Sequence, residues 1–284
     1  MTARPSPDAD EPTSDAAFRR AVAGSVGVSL AALAVTVAAA TNAPVTALVG
    51  ASLVASLLGA GVGHVAASRN PALSTRLGRS RLRKATVALP AVPLVAVSLA
   101  SLFGRLEEAV GLVALGSAIV VVLAGYVTAT MAATRYAETV TGDEPLVTCR
   151  WQPPRRPLLD GIVFAGWTVL GAMNAFEGDW FAALVWTGVA LCWLVSGLIE
   201  GRFRIGETGT APEIRVHEHG LVKQRPYAKT VVPLDDVAHV RLREGELVLD
   251  RGPFDVRFER DELEAPDDVL AALEQRLPRP TKRT

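Results

Sequence analysis

From Ala21 to Ser68 the chain contains no Asp, Glu, Lys or Arg. A charge held in bilayer hydrocarbon is costly, and about 20 apolar helical residues cross its roughly 30 Å core. The stretch is too long for one such helix, and the turn-forming group Thr41-Asn42-Ala43-Pro44 divides it. Helices are therefore expected over 21–40 and 45–67. Further charge-poor stretches lie at 85–104, 109–134 and 180–199, and 158–176 carries only Asp160, near its start. Backbone groups in hydrocarbon must be satisfied within their own segment, so runs this long span as helices. Barrel strands need only about 10 residues and alternate in polarity.

Composition agrees. Half the chain is hydrophobic, 20% is charged and the mean hydropathy is +0.29, whereas soluble domains carry about 25% charge. The 29 basic and 29 acidic residues cancel, so net charge directs the chain to no nucleic acid. Cys149 and Cys192 are too few for a disulfide framework. A cleaved leader is disfavoured because an acidic tail precedes the first apolar run, which exceeds the usual 7–15-residue core.

The charges that remain orient the spans, because short cytoplasmic loops collect Lys and Arg. The connection after the second span holds Arg69, Arg76, Arg79, Arg81, Arg83 and Lys84, and the one after the fourth holds Arg135, Arg150, Arg155 and Arg156. Opposite them lie Thr41–Pro44, Arg105–Glu108 and Glu177–Asp179, which are short and mostly acidic or uncharged. The expected organisation is a disordered acidic tail over 1–20 and four spans within 21–134. A basic cytoplasmic loop at 135–157 leads to a transmembrane hairpin at 158–199. The six helices form three hairpins, and both termini are cytoplasmic in the cell membrane.

Transporters and intramembrane enzymes place ionisable groups at depth. Here Asp160, Glu200, Glu107, Glu108 and His64 all fall near span ends, so chemistry in the bilayer is not expected. Gly59 and Gly63 form a small-xxx-small pair suited to close helix packing. Pro90 and Pro93 are expected to kink the third span.

Beyond Ile199 the chain becomes highly charged but nearly neutral. Short strands are expected at Arg202–Gly206, around Ile214 and Val216, at Leu221–Arg225 and Lys229–Val232, at Val237–Arg243 and Glu246–Asp250, and at Phe254–Phe258 with clean period two. Pro266, Asp267 and Asp268 then open an amphipathic helix with Val269, Leu270, Leu273 and Leu277 on one face. The domain at 202–278 should thus be a small sheet or barrel capped by one helix, with a tail at 279–284.

Gly220-Leu221-Val222, Val231–Val237, the Phe254–Phe258 strand and the closing helix together resemble the bacterial pleckstrin-homology-like domains of small membrane proteins. The likeness covers about Gly161–Leu277, including the preceding hairpin. It implies a binding or assembly module, commonly self-associating, without a fixed chemistry.

Lys223, Arg225 and Lys229 cluster around one hairpin and form the candidate site for anionic lipid headgroups or a partner. His217 and His219, with His239 as a conceivable third ligand, fall short of the four that structural zinc requires. No metal site, cofactor or catalytic residue is therefore assigned. The expected function is non-enzymatic, regulatory or scaffolding, with the bilayer and a second copy or another membrane protein as partners. The alternative is a small-molecule transporter or channel regulated by its cytoplasmic domain.

Overall fold

The computed structural model of the protein describes residues 11–152, 157–203, 210–243, 245–252 and 255–277. The tail expected at 279–284 and most of the strand expected at Arg202–Gly206 lie outside the described residues. The helices are α1 (Glu11–Ala40), α2 (Val45–Arg69), α3 (Leu73–Gly78), α4 (Arg81–Ala85), α5 (Ala91–Leu102), α6 (Glu108–Val140), α7 (Pro157–Glu177), α8 (Trp180–Glu200) and α9 (Pro266–Arg276). The strands are β1 (Val147–Arg150), β2 (Glu213–Val216), β3 (Gly220–Arg225), β4 (Ala228–Pro233), β5 (His239–Arg243), β6 (Glu246–Asp250) and β7 (Val256–Glu259). Two compact units result: a helical unit of Met1–Ala132 with Val163–Trp193, and a sheet unit of Ala133–Ile162 with Leu194–Thr284. The continuous helices α6, α7 and α8 contribute residues to both.

In the helical unit, α1, α2, α6, α7 and α8 are each long and apolar enough to cross a membrane. A sixth crossing is reached if the bent pair Arg81–Ala88 and Ala91–Leu102 counts as one. Helix α1 starts at Glu11, so the second half of the tail expected to be disordered is helical. Asn42 turns α1 into α2 with φ 53°, a left-handed conformation that Asn tolerates better than most residues.

Small residues set the approach of these two helices. A Cβ on Gly59 would lie 2.8 Å from the Gly27 Cα, and one on Gly63 would lie 2.9 Å from the Ala23 Cα. Backbones can come this close only where side chains are absent. The opposite face of α2 is apolar and outward, with Leu53, Leu57, Leu58 and Val62 all exposed.

The stretch expected as one span at 85–104 is not one straight helix. It breaks at Leu89-Pro90, and the two pieces differ in direction by 54°. Pro90 has no N–H to continue a helix but suits the residue before a new one. Pro93 falls in the first turn of α5, where its missing donor breaks no intrahelical bond. Several buried hydroxyls in this unit donate to backbone carbonyls. Ser29 and Thr36 donate to carbonyls one turn back at 2.8 Å. Ser98 Oγ donates to Leu94 O and Gly111 O, and Thr128 Oγ1 to Ala124 O and Ala21 O.

The sheet unit holds two antiparallel sheets, β1-β2-β3-β4 and β5-β6-β7. Their inner faces share one core with α9, built on Ile214, Val216, Leu221, Leu247, Leu249, Phe258, Val269 and Leu273. Period two explains the choice: Ile214 and Val216 point inward, while Glu213 and Arg215 pair with each other at 3.0 Å. Pro266 opens α9, Asp267 and Asp268 occupy its first turn and Arg276 its last, as the helix dipole favours.

The first described strand of this unit in chain order is Val147–Arg150, inside the stretch expected to be a basic loop at 135–157, and it pairs with β2 through Cys149↔Ile214 and Val147↔Val216. Trp151 continues the edge with a bridge to Leu263.

Candidate functional site

Strands β3 and β4 form a hairpin closed by Pro226-Tyr227, with Arg225 opposite Ala228. Proline presets the φ that such a turn needs. Along β3 the side chains alternate, so Leu221, Lys223 and Arg225 share one face and Val222 and Gln224 the other. Leu221 lies in the core. Lys223 and Arg225 therefore point to the same side as the aromatic core residues.

Lys223 Nζ sits 4.1 Å from the Phe258 ring centroid and 5.8 Å from that of Trp151, and Arg225 Cζ lies 5.9 Å from the Trp151 ring. Rings attract cations over their faces, yet burial opposes the charged amine. Burial, reinforced by Arg225 and Arg251 and countered by Glu262, brings the Lys223 amine down to a pKa of about 8. Glu262 Oε2 accepts from Trp151 Nε1 at 3.1 Å, and burial pushes that carboxyl above its ordinary range.

Lys229 stands on the other face. It lies opposite Gln224 in the hairpin register. Its amide donates to Thr134 Oγ1 at 3.1 Å and its Nζ to Glu138 Oε1 at 2.8 Å, while Glu138 Oε2 holds Arg135 at 3.0 Å. Thus β4 is fastened to the last turns of α6. The three basic residues of the hairpin do not form one outward patch: Lys223 and Arg225 line the aromatic edge of the core, and Arg225 and Lys229 are ion-paired, to Glu200 at 3.9 Å and to Glu138 at 2.8 Å.

Glu138, Arg251 and Glu262 belong to this neighbourhood and were not singled out from sequence; Trp151, whose place beside the basic loop suits a membrane-boundary anchor, is instead buried in the core of the sheet unit. Period two alone places Lys223 and Arg225 with Leu221. Glu138 and Trp151 come from a separate part of the chain; Trp151 continues the alternation of Val147 and Cys149, whereas Glu138 carries no local signal.

The histidines separate. His217 is buried, with Nδ1 3.2 Å from Asp143 Oδ1, and Asp143 Oδ2 also accepts from the Glu218 amide at 3.1 Å. The Glu218 amide, and less strongly the Asp143 backbone and His217, hold the Asp143 carboxyl below its ordinary range. His219 and His239 are exposed. Among the described residues no three His, Cys, Asp or Glu side chains are grouped to hold a metal ion. Cys149 is buried and its Sγ accepts from the Ala265 amide at 3.3 Å; Cys192 is an exposed thiol on α8.

In the helical unit, a shallow depression of about 460 Å³ is lined by Ala40, Gly104, Arg105, Leu106, Glu107 and Val110. One cation and one carboxylate are its only charged groups. Comparisons with protein-family models, curated proteins and solved structures return no match.

Proposed function

We propose that this is an integral membrane protein of six crossings with both termini cytoplasmic. Its C-terminal unit is a pleckstrin-homology-like binding or assembly module with a regulatory or scaffolding role and no chemistry of its own. The observation that carries the module reading is the arrangement of the sheet unit. Four and three antiparallel strands share one core under a closing helix; β2 to β7 and α9 follow the element order on which the resemblance rests, while β1 enters from before the α7–α8 hairpin. Its first strand lies between two apolar helices, which couples the module to the helices by chain connectivity.

The membrane reading is supported by the five long apolar helices and the bent sixth. It is also supported by the outward leucines of α2, which need an apolar surrounding. Buried hydroxyls of Ser29, Thr36, Ser98 and Thr128 bond to backbone, which favours a packed bundle over a polar route for a solute. The buried histidine and cysteine of the sheet unit are engaged by Asp143 and the Ala265 amide, as structural groups are.

Two measurements test the proposal in the full chain with Cys192 replaced by Ala. Cysteines placed at Thr41 and near the C-terminus should label from opposite sides of sealed vesicles; labelling from one side overturns the topology. Light scattering and co-purification in mild detergent should give a self-associated or partner-bound protein. A monomer that retains no partner at any concentration overturns the module reading.

A further inference from the structure

Arg69, Arg76, Arg79, Arg81, Arg83 and Lys84 fall within one short connection that contains no carboxylate. The nearest acidic residues in sequence are Asp15 and Glu107. The five arginines are exposed. Among the described residues Arg69, Arg76, Arg79 and Arg83 enter no ion pair. Like charges gathered in this way repel, so a segment that holds them together calls for anions from outside.

The segment is ordered by its own contacts. Leu73 and Leu77 pack against the cluster of Phe18, Val22, Ala67 and Ala132, and Ser74 and Gly78 are buried. That fastens one side of α3 to the bundle and leaves Arg76 and Arg79 outward. Ser80 caps α4 by accepting from the Arg83 amide at 3.2 Å, and Arg83 Nη1 donates to Arg76 O at 3.3 Å. Amid these cations Leu82 is 83% exposed, and Leu89 is exposed beyond it. The Arg81–Ala88 piece is bent 54° from α5.

A soluble anion would neutralise the arginines but leave the leucines in water. A membrane surface covers both, because phosphate headgroups meet the guanidinium groups and the acyl boundary takes the leucines. We propose that residues 69–89 form an interfacial platform for anionic lipids, with Arg76, Arg79 and Arg83 on headgroup phosphates and Leu82 entering the acyl boundary. The platform rests on the membrane reading given above.

The full chain is reconstituted into phosphatidylcholine nanodiscs and into discs in which about one lipid in three is phosphatidylglycerol. The wild type should unfold several degrees higher in the anionic discs, and high salt should erase most of the gain. The triple variant R76Q/R79Q/R83Q should keep the wild-type midpoint in phosphatidylcholine and lose at least half of the gain. Leu82→Ser should lower the gain while leaving its salt dependence. An undiminished gain in the triple variant overturns the platform. So does recovery of the whole gain in phosphatidylcholine discs on adding inorganic phosphate, which would assign a soluble anion instead. Failure of the wild type to enter phosphatidylcholine discs overturns the membrane reading and the platform with it, whereas equal gains overturn the platform alone.

Discussion

Trp151 donates its indole Nε1 proton to Glu262 Oε2 at 3.1 Å, across 111 residues of chain. The same indole meets Phe258 edge-on, with centroids 5.9 Å apart and planes at 86°. A residue from the connection between two apolar helices thus completes the core of the sheet unit. Loss of a buried aromatic of this size costs about 3–5 kcal/mol. Trp151→Ala should therefore destabilise the sheet unit by that order, read as a lowered unfolding midpoint from near-ultraviolet circular dichroism. A midpoint within a degree of wild type would show that the indole is not part of the core.

Strand β1 covers the free edge of β2. A fragment of 194–284, produced without 133–162, leaves β2 as an exposed edge and removes Cys149 and Trp151 from the core. Exposed edges recruit other chains. The fragment should aggregate or lack dispersed amide resonances, and supplying 133–162 in the same chain should restore dispersion. A well-dispersed spectrum from 194–284 alone would refute the dependence on β1.

At Gly59 any side chain meets the Gly27 backbone. Gly59→Leu should separate α1 from α2 at a cost of about 1–3 kcal/mol, the usual range for overpacking. Gly61, with nothing within 4 Å of its would-be Cβ, supplies the control, since Gly61→Ala should be neutral or stabilising. Thermal unfolding in detergent compares the two; equal midpoints would count against the close approach.

Lys223 gives the sheet unit a pH dependence whose sign is fixed by burial. Its pKa falls from 10.5 to about 8 on folding. Below about pH 8 both states carry the proton and the folded state bears the full cost of the buried charge. Between about 8 and 10.5 the unfolded state binds more protons, so stability rises with pH there. Lys223→Met should be more stable than wild type at neutral pH, by up to about 3 kcal/mol. That advantage should shrink toward zero by about pH 10.5. Denaturant midpoints across this range provide the test, and a constant difference between the proteins would refute it.

The Lys229–Glu138 pair, at 2.8 Å and one-third exposed on each side chain, should be worth little in energy. A double-mutant cycle with Lys229→Met and Glu138→Gln should give a coupling of about 0.2–1 kcal/mol, screened by salt. A coupling above this range would mean that the clasp between β4 and α6 is drier than its exposure implies.

The long apolar helices were legible because each is a local property: absence of charge over a bilayer's length needs no knowledge of neighbours. The same holds for most strands of the sheet unit and for α9, whose periods are written into consecutive residues. Pro90 likewise marks the break in the third stretch. Val147–Arg150 was missed although Val147, Cys149 and Trp151 alternate with Thr148 and Arg150. The basic residues around it read as a loop between two spans, and its partner, Glu213–Val216, lies far along the chain.

The basic hairpin marks the same boundary. Residue types alone placed Lys223, Arg225 and Lys229 together as cations around one turn. Which face each occupies, and what it meets there, depended on strand register and on segments brought from elsewhere. Leu221 draws Lys223 and Arg225 to the aromatic edge of the core, while α6 presents Glu138 to Lys229. Sequence by itself determined where the chain is apolar enough to cross a membrane and where it alternates as a sheet, because both follow from neighbours within a few residues. Tertiary structure decided which strand completes the sheet and which charges remain available, because burial and pairing are properties of residues distant in the chain.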